Sequence, residues 1–169
     1  FRRDAQLNAA RSDMEARAPD RARRNPMSLS HRTIIVTGGA QGIGLAVANL
    51  VADLGGNPVL VDMNADRLED ARKAIGEKFC LTFVGNVSDP SFASDVVAQT
   101  KAHFGAVHGL VNSAGITRPA MADKMTLEQW QQVLDAHLTG SFLFLQAIGR
   151  EMIERARAGD ARTGAIVNI

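Results

Sequence analysis

Residues 33–44 read Thr33-Ile34-Ile35-Val36-Thr37-Gly38-Gly39-Ala40-Gln41-Gly42-Ile43-Gly44. The change of character inside this stretch decides the fold. Its first five residues are all β-branched, the composition of a short buried strand. Glycines then punctuate a turn, and Leu45, Val47, Ala48, Leu50, Val51 and Leu54 recur at helical spacing up to Gly55-Gly56. A strand that turns through glycines into a helix makes a phosphate site. Gly38 permits the tight turn, Gly42 lets a diphosphate reach the backbone, and Gly44 lets the helix pack on the strand. Gln41 and Ile43 complete the turn. The helix N-terminus adds free N–H groups and a partial positive charge. This is the pattern of dinucleotide binding; the plainer alternative is a merely structural turn.

The alternation continues along the chain. Pro58 opens a second strand, Val59-Leu60-Val61, which ends at Asp62. Asn64 caps a helix through Leu68, Ala71 and Ile75. A third strand is expected from Cys80 to Val84, and Ser88 and Pro90 begin a helix with Phe92, Val96, Val97 and Phe104 on one face. Gly109–Asn112 is the fourth strand. After a loop over 116–124, Thr126 caps one long helix, expected to bury Leu127, Trp130, Val133, Leu134, Leu138, Phe142, Leu145 and Ile148. Ala165–Ile169 reads as a fifth strand. Strands separated by helices force right-handed crossovers and a parallel sheet covered on both faces. The expectation is an α/β fold with a Rossmann-type doubly wound sheet, order 3-2-1-4-5, truncated after strand 5. Its ligand crevice lies at the carboxyl ends of strands 1 and 4.

Asp62, at the end of strand 2, can accept hydrogen bonds from both hydroxyls of an adenosine ribose. It would repel a 2′-phosphate: two like charges about 4 Å apart cost roughly 4 kcal/mol at an effective dielectric near 20. The turn offers no Arg or Lys in compensation. NAD is therefore the expected cofactor, and NADP the less favoured one. The plainer alternative is a strand-end Asp that only caps the next helix.

Asn112-Ser113-Ala114-Gly115 closes strand 4. Together with Thr-Gly-x-x-x-Gly-x-Gly at residues 37–44, it resembles the short-chain dehydrogenase/reductase family, from about Met27 to the end of the chain. Asn86-Val87-Ser88-Asp89, Trp130 and His137-Leu138-Thr139-Gly140-Ser141-Phe142 fit the same pattern. The resemblance implies that Asn112, Ala114 and Gly115 brace the sheet and pass backbone along the cofactor, and that Asn86 and Val87 contact adenine. Two positions depart from the family. Asn86 stands where an Asp is usual, and keeps a carbonyl acceptor for the adenine amino group. His137 stands where an Asn is usual, in the proton relay. It is the one catalytic residue carried over, and the alternative is a tolerated structural substitution.

Family members transfer a hydride between nicotinamide and a carbonyl or alcohol carbon, using a Ser and a Tyr-x-x-x-Lys. This chain contains no Tyr. The expectation is thus an amino-terminal, cofactor-binding fragment, inactive by itself, with Ser and Tyr-x-x-x-Lys encoded beyond Ile169. The parent would be an NAD(H)-dependent oxidoreductase interconverting a secondary alcohol and a ketone, by overall resemblance a 3-oxoacyl or 3-hydroxyacyl thioester. The alternative is a non-catalytic dinucleotide-binding or regulatory module.

The remaining residues bound the partners. The 169 residues carry 19 Lys and Arg against 18 Asp and Glu, a net charge of +1, which gives no electrostatic case for nucleic acid. A single Cys excludes an internal disulfide framework. No run approaches the length of a membrane span, and the expected compartment is the cytoplasm. Residues 1–26 hold seven Arg, four acids and two breaking prolines without apolar periodicity. They read as a disordered tail or upstream translated segment. Residues 27–169 are the binding domain, incomplete at its carboxyl end. No metal is expected: His31 reads as solvated, and His103 and His108 read as structural residues of a loop beside strand 4. Cys80 reads as a small buried residue. Arg118, in the loop after strand 4, serves either substrate contact or surface charge. The long helix, 126–157, is the expected contact of a homodimer or homotetramer, with a small molecule as substrate.

Overall fold

The computed structural model describes residues 27–160 and 164–169. The expected tail, 1–26, lies outside the described residues. Five parallel strands form one sheet: β1 (Thr33–Thr37), β2 (Asn57–Asp62), β3 (Leu81–Val84), β4 (Gly109–Asn112) and β5 (Ala165–Asn168). Their order is β3-β2-β1-β4-β5, as expected. The connecting helices are α1 (Gly42–Asp53), α2 (Ala65–Ile75), α3 (Phe92–Phe104), α4 (Leu127–Leu134) and α5 (Gly140–Arg157).

Side chains alternate across the strands. Ile35, Val59, Val61 and Leu110 point to one face, where Ala93, Val96, Val97, Phe144 and Ile148 of α3 and α5 cover them. Val36, Leu60 and Val111 point to the other, under Ala48, Leu68 and Ala71 of α1 and α2. Covering both faces removes the need for polar alternation, which is why these strands read as continuous apolar runs. The register sets Thr37 level with Val61 and with Asn112. The carboxyl ends of the three central strands therefore finish along one edge of the sheet.

Several boundaries differ from the sequence reading. β2 begins at Asn57, with Pro58 inside it. Pairing to β3 starts only at Val59, so the N–H that proline lacks is not missed on that side. β3 begins at Leu81, one residue after Cys80. α3 starts at Phe92, not at Ser88 or Pro90. The Asp89 carboxylate accepts from the Ser91 amide and hydroxyl, both at 2.9 Å, and holds a separate turn ahead of the helix. The same bonds keep that carboxyl below its ordinary pKa. His103 belongs to the last turn of α3 rather than to a loop, and its ring meets Phe104 edge-on.

The largest correction concerns the long helix. Its start is the expected one: Thr126 Oγ1 accepts the Gln129 amide at 3.2 Å, and the Gln129 side chain accepts the Thr126 amide at 3.0 Å. The helix is not continuous, because a π turn spans Asp135–Thr139 between α4 and α5. Nor are the expected residues buried. Leu127, Trp130, Leu138, Phe142 and Leu145 are exposed, whereas Ile148 is buried. The face turned to the sheet is Gly140, Phe144, Ile148 and Glu151. Glu151 is buried because Lys101 of α3 pairs with it. Periodicity located an apolar stripe, but a second stripe on the same helix covers the core.

Candidate cofactor site

The strand ends enclose a cleft of about 390 Å³. The glycine turn forms its floor. Gly38 has φ +67° and Gly42 φ +56°, the left-handed region that favours glycine. A Cβ on Gly38 would stand 2.8 Å from the Ser113 carbonyl oxygen, and one on Gly44 would stand 2.2 Å from the Gly38 carbonyl oxygen. These two glycines let β1, β4 and α1 approach each other. Gly42 is different: a Cβ there would meet no protein atom within 4 Å. Its freedom serves the open space of the cleft rather than chain packing.

The N-terminus of α1 borders that space. Gln41 gives it no side-chain cap, and its first turn carries no acid. An anion in the cleft would meet uncapped amides and the positive end of the helix dipole. At the end of β2, Asp62 Oδ2 accepts the Ala40 amide at 3.2 Å and Oδ1 accepts the Asn64 amide at 3.1 Å. The carboxylate thus ties the glycine turn to β2. Each oxygen retains a lone pair for a further donor. The cap of α2 is not Asp62 but Asn64, whose Oδ1 accepts the Arg67 amide at 3.0 Å. Among the described residues, Asp62 is the one charged group in the cleft lining.

Gly38, Gln41, Gly42, Ile43, Asp62, Asn86, Val87, Ala114 and Gly115 all line the cleft. Gly44 and Asn112 lie behind it. Asn112 Nδ2 donates to Asn168 Oδ1 at 3.0 Å and to the Ser141 carbonyl at 3.3 Å, which joins β4 to β5 and α5. Asn86 is turned in an unexpected way. Its Oδ1 accepts both the amide and the hydroxyl of Ser88, at 3.0 and 2.9 Å. The acceptor assigned to adenine is therefore engaged within its own loop.

His137 sits in the π turn, beside the cleft. Its Nε2 lies 3.1 Å from the Ile116 nitrogen and 2.9 Å from the Ile116 oxygen. One nitrogen faces both groups, so the tautomer decides which is bonded. The ring also covers Gly115, where a Cβ would stand 2.3 Å from ring Cε1. His137 thereby fastens the backbone after β4 to the π turn. His108 is buried, with Nδ1 accepting the Thr33 amide at 3.0 Å. Burial of Cys80 pushes its thiol up to about 11. Among the described residues, no group of three or more His, Cys, Asp or Glu could hold a metal, and no helix is long and apolar enough to cross a membrane.

Three contributors were not read from the sequence. Thr37 Oγ1 accepts the amides of Ser113 and Ala114, at 3.1 and 3.2 Å, and so locks the two cleft walls together. Its position at a strand end, just before the glycines, was the available signal. Gly85 accommodates the Phe92 ring, 2.4 Å from where its Cβ would lie, and Gly140 accommodates Val87 at 2.6 Å. No local pattern marks contacts of that kind.

The sequence profile of the short chain dehydrogenases matches residues 32–169. The chain belongs to the short-chain dehydrogenase family. It is 36% identical over 143 residues to a D-threitol dehydrogenase of Mycolicibacterium smegmatis, covering 83% of this chain and 53% of the relative. It is 34% identical over 145 residues to the 3-oxoacyl-[acyl-carrier-protein] reductase FabG of Chlamydia muridarum, covering 83% and 56%. A solved short-chain dehydrogenase from Novosphingobium aromaticivorans superposes with a TM-score of 0.78 at 25% identity, covering 82% of this chain and 53% of that one. The chain thus spans about half the length of these short-chain dehydrogenases.

Proposed function

We propose that the protein is an NAD(H)-dependent oxidoreductase that interconverts a secondary alcohol and a ketone, and that residues 27–169 form its cofactor-binding part. The observation that carries the reading is Asp62, among the described residues the one charged group of the cleft lining, set beside an uncapped helix N-terminus. Within this reading the amides of α1 hold the diphosphate over Gly42. Asp62 accepts from the adenosine ribose hydroxyls with its remaining lone pairs. Val87 and the donor side of the Asn86 amide face the base. Gly115, held by His137, passes backbone along the nicotinamide end. NAD supplies the hydride acceptor when bound. No tyrosine is present among the 169 residues, so none of them is assigned as a phenolic proton donor. His137 acts here as a positioning residue.

A 3-oxoacyl or 3-hydroxyacyl thioester is the proposed substrate, on the likeness to the reductase FabG. The exposed stripe of Leu138, Phe142, Leu145 and Ile153 is proposed to pack on a second copy, with Gly149 leaving open space at its centre. The test of cofactor choice compares kcat/KM for NAD and NADP in the full-length gene product and in Asp62→Ala. The wild type should prefer NAD, and the variant should lose at least about tenfold of that preference. A native preference for NADP would refute the assignment. Absence of turnover with either cofactor, with NAD still bound, would favour a regulatory binding module.

A further inference from the structure

Beyond the nicotinamide end of the cleft, the backbone after β4 is pinned twice to the helix above it. Ile116 is held by His137, as described. Two residues on, Arg118 Nε donates to Gln132 Oε1 at 2.8 Å, and its Nη1 donates to the Thr117 carbonyl at 3.1 Å. Gln132 is itself held from below, since its Nε2 donates to Glu128 Oε1 at 3.3 Å. Gln132 lies one helical turn before Ala136, so the two share a face. Ala136 and Ile116 both line the cleft. The Arg118–Gln132 pair is thus two residues along the chain from one cleft-lining residue, Ile116, and one helical turn from another, Ala136.

Exposed arginines are ordinarily mobile, or paired with a carboxylate. Arg118 is neither. Both of its bonds go to neutral oxygens, and among the described residues it makes no ion pair. Neutral acceptors fix the guanidinium without cancelling its charge. The other N–H groups of the fork stay available, and little rotamer entropy is left to lose when an anion docks. A planar fork held in this way suits a carboxylate or phosphate oxygen pair.

We infer that Arg118 reads the charge of the substrate: the part outside the reacting carbon carries a carboxylate or a phosphate, rather than being a neutral polyol. This rests on the ketone-reductase reading above and narrows its substrate class. Gln132 is the positioning residue that aims the fork.

The test uses the full-length gene product with three ketones: acetoacetyl-CoA, which carries phosphates; acetoacetate, which carries a carboxylate; and ethyl acetoacetate, which carries neither. In Arg118→Gln, kcat/KM for at least one charged ketone should fall about tenfold or more further than for ethyl acetoacetate, through KM. Arg118→Lys should recover part of the loss, and Gln132→Ala should show a smaller loss in the same order. A loss confined to acetoacetyl-CoA assigns the phosphate, one confined to acetoacetate assigns the carboxylate, and one shared by both assigns a site that takes either anion. Equal losses on all three ketones, or no loss on any, overturn the inference. If wild type reduces none of them, the ketone reading fails, and the anion claim is judged by calorimetric titration of coenzyme A and of acetoacetate into the NAD-loaded protein. Binding of either anion that Arg118→Gln weakens about tenfold supports the claim. No binding, or binding that the variant leaves unchanged, overturns it.

Discussion

The glycine turn and the helical segment from α4 to α5 border the same cleft, but different physics fixes them. In the turn, each residue answers to backbone a few ångströms away in its own chain. Gly44 exists because the Gly38 carbonyl leaves no room for a Cβ. In the helical segment, the identity of a residue does not reveal what covers it. Phe142 and Phe144 are two positions apart and equally apolar, yet Phe144 is fully buried while Phe142 is 55% exposed. Constraints from the chain's own backbone are written locally. Constraints from packing partners are written as apolarity alone, which does not name the partner.

The sharpest way to break this contrast is to cut the two phenylalanines separately. Phe144→Ala removes a ring wedged between α3 and the sheet and should cost about 3–5 kcal/mol of unfolding free energy in denaturant titration, independent of protein concentration. Phe142→Asp should leave the fold of a single subunit intact and instead shift sedimentation toward a lighter species. If Phe142→Asp sediments as wild type does, the stripe has no second copy on it. If Phe144→Ala costs less than about 1 kcal/mol, the face taken as core is not the core.

The two glycines at 42 and 44 sharpen the comparison from the other side. Gly44→Ala sets a methyl against the backbone of Gly38 and Gly39 and should destabilise by about 1–3 kcal/mol. Gly42→Ala meets open space and costs only left-handed strain, about 1–2 kcal/mol. The order should reverse for the cofactor. Under the proposed cofactor assignment, Gly42→Ala projects its methyl into the space read for the diphosphate, so calorimetric NAD affinity should drop at least about tenfold. Normal NAD binding by Gly42→Ala would remove the diphosphate from the turn.

This division explains what the sequence made legible. The strand order, the glycine turn and Asp62 followed from short-range patterns: β-branched runs, glycine spacing and a strand-end acid; Asn86, Val87 and Gly115 came only from the resemblance to the family. The bonds of Asn86 were not legible, because its acceptor could turn either to the cleft or to Ser88, and only the loop geometry chooses. The π turn was hidden because the four-residue spacing of Leu134, Leu138 and Phe142 is compatible with a regular helix as well as with a widened turn. The brace from Thr37 to Ser113 and Ala114 joins residues far apart in the chain, and no periodicity reports such a contact.

The smallest expected effect lies at the sheet edge, away from both regions, and asks whether the local order of β1 extends to β3. Cys80 stands just before β3 with 1% of its surface exposed. Burial disfavours its thiolate and pushes the thiol up to about 11, against a weaker opposing pull from Arg72. In the unfolded chain a thiol titrates near 8.5. The folded pKa is the higher one, so the folded state holds the proton more tightly. The associated stability is fully present below about pH 8.5 and is lost as pH rises toward 11. Cys80→Ala lacks this titration, so its stability should fall less steeply than that of wild type between pH 8 and 10.5. Peptide mapping after iodoacetamide treatment at pH 8 gives an independent check. Native protein should leave Cys80 unmodified, while protein in denaturant should label fully. Labelling of native Cys80 at the rate of a free thiol would mean that the β3 edge opens readily, and that the tight packing of the central strands stops before it.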